Sequence, residues 1–289
     1  MAGNLGVNTG EYGLNKRYNK LHSLVLWGGV GAGHYYHLDV NGDFGVFVTN
    51  QVKEAIRVRQ ERRKENSRRA VVRSLHERGV EIIDQLPGCD ENDLIGLIGE
   101  IVTNDFVVSL DIEPILPKWQ YAGTSKSSGI DFVGREKLGD MWELTLYEAK
   151  HLHDEARNTE TECYTLIRAK FRIGIDEFED EKTKLNLANV LIQLGKFIRF
   201  GEANKSDTSS AKKHKDFISS SLKNDRYRVN VVALVDAKYC SETTFEQSVS
   251  QISNPLEVGK NHLVLLYLIK AESLEKTTNE VCESFVGAV

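Results

Sequence analysis

The pattern of apolar positions between residues 52 and 101 predicts helices. Up to residue 86 the spacing is loose and a charged run interrupts it, so we expect one long or two shorter helices that end at Pro87-Gly88. Asp90 or Asn92 can cap a further helix, in which Glu100 lies beside the apolar stripe and can reach a cleft without entering the core. That stripe consists of Leu94, Leu97, Ile98 and Ile101.

The first 50 residues are polar and rich in glycine, with one short apolar segment, Leu24–Trp27. The GGVGAG sequence after it is similar to a phosphate-binding loop. However, Gly29, Gly31 and Gly33 lack the GxGxxG spacing, and neither GKS nor GKT follows. We therefore assign this segment to turns.

Trp142, Leu144 and Leu146 alternate with Glu143 and Thr145, a pattern that is typical of a half-buried β-strand. Gly139-Asp140 suits the two-residue type II′ turn of a β-hairpin. In that register Asp131 lies opposite Glu148, and Lys150 lies on the same face two residues further on. The two carboxylates are thus expected to point the same way.

The same register contains one unfavourable contact. It places Glu136 opposite Glu143, and like charges in a cross-strand pair are destabilising. A bulge or a longer turn therefore stays open as an alternative.

Before the hairpin, Pro114 and Pro117 are expected to end a segment, and a polar loop around Lys126 follows.

The second half of the chain alternates helices and strands. A helical region is expected from about residue 154 to residue 200, and the polar, serine-rich segment Gly201–Ala211 predicts a mobile loop. Strands are predicted at Val229–Val235 and Leu263–Ile269, the latter so uniformly apolar that it should be central and covered on both faces. A short helix at Phe245–Ile252 separates them, and another helix can follow.

This order of elements predicts one α/β core, in which helices flank a mixed central β-sheet. A mainly helical, basic N-terminal part is expected to precede that core. We place the boundary after residue 88, so that residues 1–88 serve contacts with DNA or a partner and residues 89–289 form the core.

Composition restricts the class of protein further. The chain has 289 residues, a formal net charge of -5 and 40% hydrophobic residues, an ordinary globular profile. No apolar run approaches the roughly 18 to 20 residues that cross a bilayer, and the polar N-terminus lacks the features of a signal peptide. We therefore expect a cytoplasmic protein.

The cysteines are far apart in sequence and are expected to be reduced, mostly buried thiols; they are Cys89, Cys163, Cys240 and Cys282.

Basic residues are concentrated in two stretches despite the negative net charge. Residues 51–80 hold ten Lys or Arg against four Glu, and residues 195–228 hold nine basic against four acidic residues. Such stretches are solvated helix faces or contacts with phosphate groups. For DNA contacts we single out Lys126 in the polar loop and four arginines, Arg62, Arg63, Arg68 and Arg69.

The two carboxylates of the hairpin suggest metal chemistry. Asp131 and Glu148 on one face repel each other unless a cation lies between them, and a divalent ion is the usual solution. Magnesium takes one or two carboxylates together with water and phosphate oxygens. Lys150 can orient an attacking water or neutralise charge that develops on the phosphate.

These residues resemble the motif of the PD-(D/E)XK nuclease superfamily. The order is a helix glutamate in Gly99-Glu100, then Gly129-Ile130-Asp131, then Glu148-Ala149-Lys150 near a strand end. The chain departs from the superfamily name at Ile130, where the name has a proline. The resemblance covers about residues 90–153 and implies a restriction-endonuclease-like core.

The resemblance also implies the role of each residue. Asp131 and Glu148 would bind Mg²⁺ or Mn²⁺, with help from the backbone carbonyl of Ala149. Lys150 would be the catalytic lysine, and Glu100 the accessory acid from the helix. The implied activity is metal-dependent hydrolysis of phosphodiester bonds in DNA.

More narrowly, the layout of GE, SKSSGID and YEAK is similar to the family of HamA nuclease subunits from Hachiman-type anti-phage defence systems. That resemblance implies a hetero-complex in which a HamB-like helicase subunit controls the nuclease. We expect the helicase contact in residues 1–50. The alternatives are a stand-alone restriction-type endonuclease and a non-catalytic subunit that binds nucleic acid or acts as a scaffold.

Other residues compete for the catalytic role. The acid-x-Lys spacing recurs at Asp180-Glu181-Lys182, which we assign to the surface, and at Asp236-Ala237-Lys238 after a good strand. Glu148 and Lys150 can also be a purely structural ion pair. His151 and His153 have no evident third metal ligand, and we expect them at the surface or behind the metal ligands.

Overall fold

The computed structural model of the protein describes residues 17–29, 31–40, 43–55, 57, 91–117, 130–152, 160–203, 207–236, 240–252, 264–271 and 274–286. They form a seven-stranded mixed sheet that is covered by helices on both faces. The predicted α/β class is therefore confirmed. None of the helices within these ranges is both long and apolar enough to cross a membrane.

The strands and helices alternate along most of the chain. The strands are β1 (Tyr18–Leu26), β2 (Gly31–Leu38), β3 (Glu113–Pro117), β4 (Phe132–Leu138), β5 (Met141–His151), β6 (Tyr227–Asp236) and β7 (Val264–Ala271). The helices are α1 (residues 43–55), α2 (Glu91–Ser109), α3 (Glu160–Asp176), α4 (Asp180–Ala203), α5 (Ser209–Lys223), α6 (Glu242–Ser250) and α7 (Leu274–Val286).

The order of strands across the sheet is β1-β2-β7-β6-β5-β4-β3. The central strands β2, β7, β6 and β5 are parallel to one another, whereas β1 pairs antiparallel with β2 at one edge, and β4 and β3 continue antiparallel from β5 at the other. β7 lies between β2 and β6, and nearly all its residues are buried. Its predicted central position is confirmed.

The N-terminal segment differs from the prediction. Tyr18–Leu26 and Gly31–Leu38 form two strands of the main sheet, although we assigned the GGVGAG segment to turns. The glycines serve close packing here, because a Cβ added at Gly31 would lie 2.4 Å from the Trp27 ring. A short 3₁₀ turn at Trp27–Gly29 joins the strands. The domain boundary predicted after residue 88 lies outside the described residues.

Pro114 and Pro117 lie within a strand, although we expected them to end a segment. They belong to β3, which is the edge strand beside β4. An edge strand tolerates proline because its outer side needs no backbone N–H for pairing. The register between β3 and β4 shifts between Pro114 and Leu116.

The predicted register of the β4–β5 hairpin is confirmed. Paired residues run from Leu138 with Met141 to Phe132 with Tyr147, and Gly139 in the turn has a φ of 60°. Glu136 and Glu143 do face each other.

Arg228 of β6 resolves this conflict between like charges. Its guanidinium donates to Glu136 Oε2 at 2.6 Å and to Glu143 Oε2 at 2.7 Å. The hairpin therefore keeps its two-residue turn, because a cation from the third strand neutralises the pair.

The helices divide between the two faces of the sheet. One apolar cluster joins α1, α2 and α7 to the face that carries Phe132 and Tyr147. The other joins α3, α4, α5 and α6 to the face that carries Val133 and Leu146. The predicted stripe of α2 is buried in the first cluster, as expected.

The helical region after the hairpin is longer than predicted. It continues beyond residue 200 to the end of α4, and α5 begins at Ser209, so most of the expected loop Gly201–Ala211 is helical. Residues 204–206 lie outside the described residues. Leu185 of α4 is 64% exposed.

Candidate active site

The β4–β5 hairpin brings Asp131, Glu148 and Lys150 to one face of the sheet. Val133 and Leu146 are paired and belong to the apolar cluster under α3. Side chains alternate along a strand, so Asp131, two residues before Val133, and Glu148, two residues after Leu146, lie on that same face. Both carboxyl side chains are buried. The predicted juxtaposition of the acids follows from the confirmed register.

Two hydrogen bonds fix Asp131 at the start of β4. Its backbone amide donates to the carbonyl of Tyr147 at 3.1 Å, and its Oδ2 accepts from the backbone amide of Ala149 at 2.7 Å. The carboxylate thus takes the place of a backbone acceptor where the β4–β5 pairing ends. A negative charge that accepts from a backbone N–H is held in one orientation.

Lys150 forms an ion pair with Glu148 along the same strand. Its Nζ lies 2.6 Å from Glu148 Oε1, and the two side chains are 18% and 8% exposed. This is a partly buried contact between residues two positions apart on one strand. With Asp131, the group has two negative charges and one positive charge, and hard oxygen donors of this kind suit Mg²⁺ or Mn²⁺.

Glu100 comes from a helix on the other face. It is buried in α2, which packs on the face of Phe132 and Tyr147. It can therefore approach Asp131 and Glu148 only past the end of β5. At that end Gly99, which precedes Glu100, lies close to His151, which follows Lys150. A Cβ added at Gly99 would lie 3.0 Å from the Cβ of His151.

His151, the last residue of β5, contacts α2. Its Nδ1 lies 3.2 Å from the carbonyl oxygen of Ile95, and since a carbonyl only accepts, the Nδ1–H donates. This contact joins α2, the helix of Glu100, to the residue that follows Lys150. From the sequence, His151 was expected at the surface or behind the metal ligands; Gly99, adjacent to the motif glutamate, was the available signal for close packing.

Another group in the described residues has three potential ligands close together. The ligating atoms of His22, Glu242 and Glu246 all lie within 4.8 Å of one another, a criterion that Asp131, Glu148 and Glu100 do not meet. In that group each imidazole nitrogen contacts a carboxylate, at 2.9 and 3.0 Å, so side-chain contacts between β1 and α6 account for it. A magnesium site needs only one or two carboxylates, because water completes the coordination.

The competing acid-x-Lys motifs are in poorer positions. Asp236 is buried at the end of β6, but it shares a face with Val232 and Leu234, which belong to the apolar cluster of α1, α2 and α7 on the face opposite Glu148. Ala237 and Lys238 lie outside the described residues. The expected surface position of Glu181 and Lys182 is confirmed.

Several predicted residues lie outside the described residues, namely Arg62, Arg63, Arg68, Arg69, Lys126, Cys89 and His153. The expectation of buried, reduced thiols is confirmed for Cys163, Cys240 and Cys282. A hydrogen bond with Cys163 and burial raise the pKa of the Cys240 thiol. This cysteine is therefore a poor candidate for a nucleophile.

Comparisons of the chain with protein-family models, with curated proteins and with solved structures found no match. The functional interpretation depends on the geometry of the hairpin site.

Proposed function

We propose that the protein is a divalent-metal-dependent DNA endonuclease of the PD-(D/E)XK type. The observation that carries the proposal is the placement of Asp131, Glu148 and Lys150 on one face, where β4 begins and β5 nears its end. Both acids are buried beside Lys150. Metal-dependent hydrolysis of a phosphodiester needs this combination of residues, whereas a stable core does not require it.

Asp131 and Glu148 would hold the ion, with the carbonyl of Ala149 as a third donor and Glu100 as an accessory acid. A bound Mg²⁺ or Mn²⁺ would polarise the phosphate and lower the pKa of a coordinated water. The hydrogen bond from the amide of Ala149 orients the Asp131 carboxylate through Oδ2. Preorganisation of this kind reduces the reorganisation needed during the reaction.

Lys150 would change its partner when a divalent ion binds to the site. Without an ion its ammonium neutralises Glu148. A cation on Glu148 weakens that attraction, and the ammonium can then turn to an attacking water or to the negative charge that develops on the phosphate. The same lysine would thus stabilise the metal-free site and take part in cleavage.

We further propose that the nuclease is the effector subunit of an anti-phage defence complex under the control of a helicase, as the resemblance implies. Loss of residues 1–50 would be a poor test of helicase binding, because it removes β1 and β2 from the sheet. Co-purification of the full chain with a helicase encoded beside it is a better test. A genome neighbourhood without a helicase would favour the stand-alone restriction-type enzyme.

The decisive experiment is degradation of supercoiled plasmid with Mg²⁺ or Mn²⁺, with and without EDTA. We expect cleavage that EDTA abolishes and that is lost in Lys150→Met. Lys276→Met is the matched control, because Lys276 is exposed and paired only within α7. Cleavage in full EDTA would contradict the metal mechanism. A protein that binds DNA but never cleaves it would be the non-catalytic alternative, and discrete fragments would identify a restriction-type enzyme.

A further inference from the structure

Helix α4 carries an exposed apolar stripe. Leu185 is 64% exposed and Ile192 is 52% exposed, whereas the opposite side of the helix is buried in the core. Ala188 is exposed between them, and Gly195 continues the stripe. The spacing of three and four residues places all of them on one side of the helix.

The stripe begins and ends with opposite charges. The side chain of Glu181 is 91% exposed, four residues before Leu185. At the other end Arg199 is exposed, and its Nε donates to the carbonyl of Gly195 at 3.3 Å, which keeps the side chain along the stripe. The full series is Glu181, Leu185, Ala188, Ile192, Gly195 and Arg199.

This series is complementary to itself in the antiparallel direction. When two copies of α4 pack around a two-fold axis near residue 190, each large residue meets a small one: Leu185 meets Gly195, and Ile192 meets Ala188. The same alignment brings Glu181 against Arg199 at both ends. Interfaces around a two-fold axis require a surface that fits its own copy, and alternation of large and small residues provides the interdigitation.

A groove between α4 and α5 gives Leu185 of the other copy a place to insert. It has a volume of about 510 Å³ and is lined by Leu191, Ile192, Gly195, Ile198, Arg199 and Lys215. Gly195 contributes no side chain to the groove, and a Cβ built there would lie 3.8 Å from Lys215 Nζ, an ordinary van der Waals distance. Arg199 and Lys215 can cover an inserted leucine with their aliphatic stems.

We propose that α4 is the interface of a homodimer, in which two copies of the helix pack antiparallel through this stripe. One contact of this alignment is unfavourable, because Lys184 lies level with Lys196 of the other copy. Both are exposed, and like charges at a solvated rim interact only weakly. The single helix pair is a small interface, so we expect a dissociation constant of roughly 1 to 10 μM.

The test is sedimentation velocity of the full chain over a range of concentrations, with circular dichroism to verify folding. We expect a reversible dimer that Ile192→Glu weakens by at least about a hundredfold. Val46→Glu is the matched control, because Val46 is as exposed on α1, on the opposite face of the sheet. Arg199→Glu alone and Glu181→Arg alone should each weaken the dimer by about tenfold, because each places two like charges together.

The charge-exchange variant Glu181→Arg/Arg199→Glu should restore dimerisation, since the opposite charges meet again. Recovery in that variant would support the antiparallel alignment specifically. A chain that stays monomeric up to about 100 μM would overturn the proposal and assign the stripe to a different protein. A dimer that Ile192→Glu leaves intact, or that the charge exchange does not restore, would also overturn it.

Discussion

The backbone amide of Ala149 donates a 2.7 Å hydrogen bond to Oδ2 of Asp131. This bond joins the first residue of the predicted metal site to the middle residue of the Glu148-Ala149-Lys150 motif. It means that the charge of Asp131 and its structural role can be separated by substitution, because an amide oxygen can accept the same bond.

Asp131→Asn should therefore keep the fold and lose activity. We expect at least about a hundredfold less cleavage, because the amide is a much weaker ligand for a divalent ion. Asp131→Ala leaves the partly buried amide of Ala149 without this acceptor and should in addition lower the free energy of unfolding by about 1 to 3 kcal/mol. Urea unfolding measures the stability of each variant, and isothermal titration with Mn²⁺ measures its metal binding. Equal stability of both variants would contradict the role given to the hydrogen bond.

Lys150→Met should separate metal binding from catalysis. It removes the ammonium that neutralises the buried Glu148, and we expect a loss of about 2 to 3 kcal/mol in the free energy of unfolding without metal. Mn²⁺ should still bind and should raise the melting temperature more than in the wild type, because the lysine no longer competes for Glu148. Cleavage should fall by about a thousandfold. Normal cleavage by this variant would exclude Lys150 as the catalytic lysine.

His151→Asn and His151→Gln form a matched pair for the contact with α2. The Asn side-chain amide can occupy the position of the imidazole Nδ1 and donate to Ile95, whereas Gln places its amide further out. If this contact positions Glu100, the Asn variant should need nearly the wild-type Mg²⁺ concentration for half-maximal cleavage. The Gln variant should need about tenfold more. Identical Mg²⁺ dependence in both variants would show that the contact is merely structural.

Arg228→Met should destabilise the hairpin. Without the guanidinium, Glu136 and Glu143 face each other, and both keep only part of their solvent exposure. We expect a loss of about 2 to 3 kcal/mol in urea unfolding. Glu136→Gln/Glu143→Gln in the same background should recover much of it by removing the repulsion. No recovery would show that packing, not charge, is the contribution of Arg228.

Acidification should destabilise the β1–β2 hairpin. Burial, together with the nearby Lys20, lowers the pKa of His34 to about 4. In the unfolded chain a histidine has a pKa of about 6.5, so the unfolded state binds more protons between pH 6.5 and pH 4. The free energy of unfolding should therefore decrease as the pH falls through this window. In His34→Gln the dependence should be weaker, and an unchanged slope would exclude His34 as its source.

The sequence predicted the register of the β4–β5 hairpin well because its signals are local. Turn chemistry at Gly139-Asp140 fixed the register, and the register fixed which faces Asp131 and Glu148 share. The apparent defect, Glu136 opposite Glu143, could not be resolved from the hairpin alone. Its solution is Arg228, which is far away in sequence and reaches the pair only because β6 lies beside β5.

The N-terminal strands were missed for a related reason. β1 is an edge strand with exposed and buried positions interspersed, and β2 contains Gly31 and Gly33, which have low strand propensity. Their place in the sheet depends on packing against Trp27 and Phe245, not on a local pattern. α5 was missed because its serine-rich start is typical of a loop, although Ile218 and Ala211 are buried.

The position of β7 sets the order in which the sheet can form during synthesis. β7 is translated after all the other strands, yet it lies in the middle of the sheet, where Gly31 and Val229 both pair with Val264. Until the ribosome has released β7, the β1–β2 hairpin has no place to attach and one edge of β6 is open. The β4–β5 hairpin needs only a two-residue turn and can form early. Partly synthesised chains would thus hold the two acids and Lys150 together before the sheet is complete. Their unpaired strand edges would be prone to aggregation, so these chains would need chaperones.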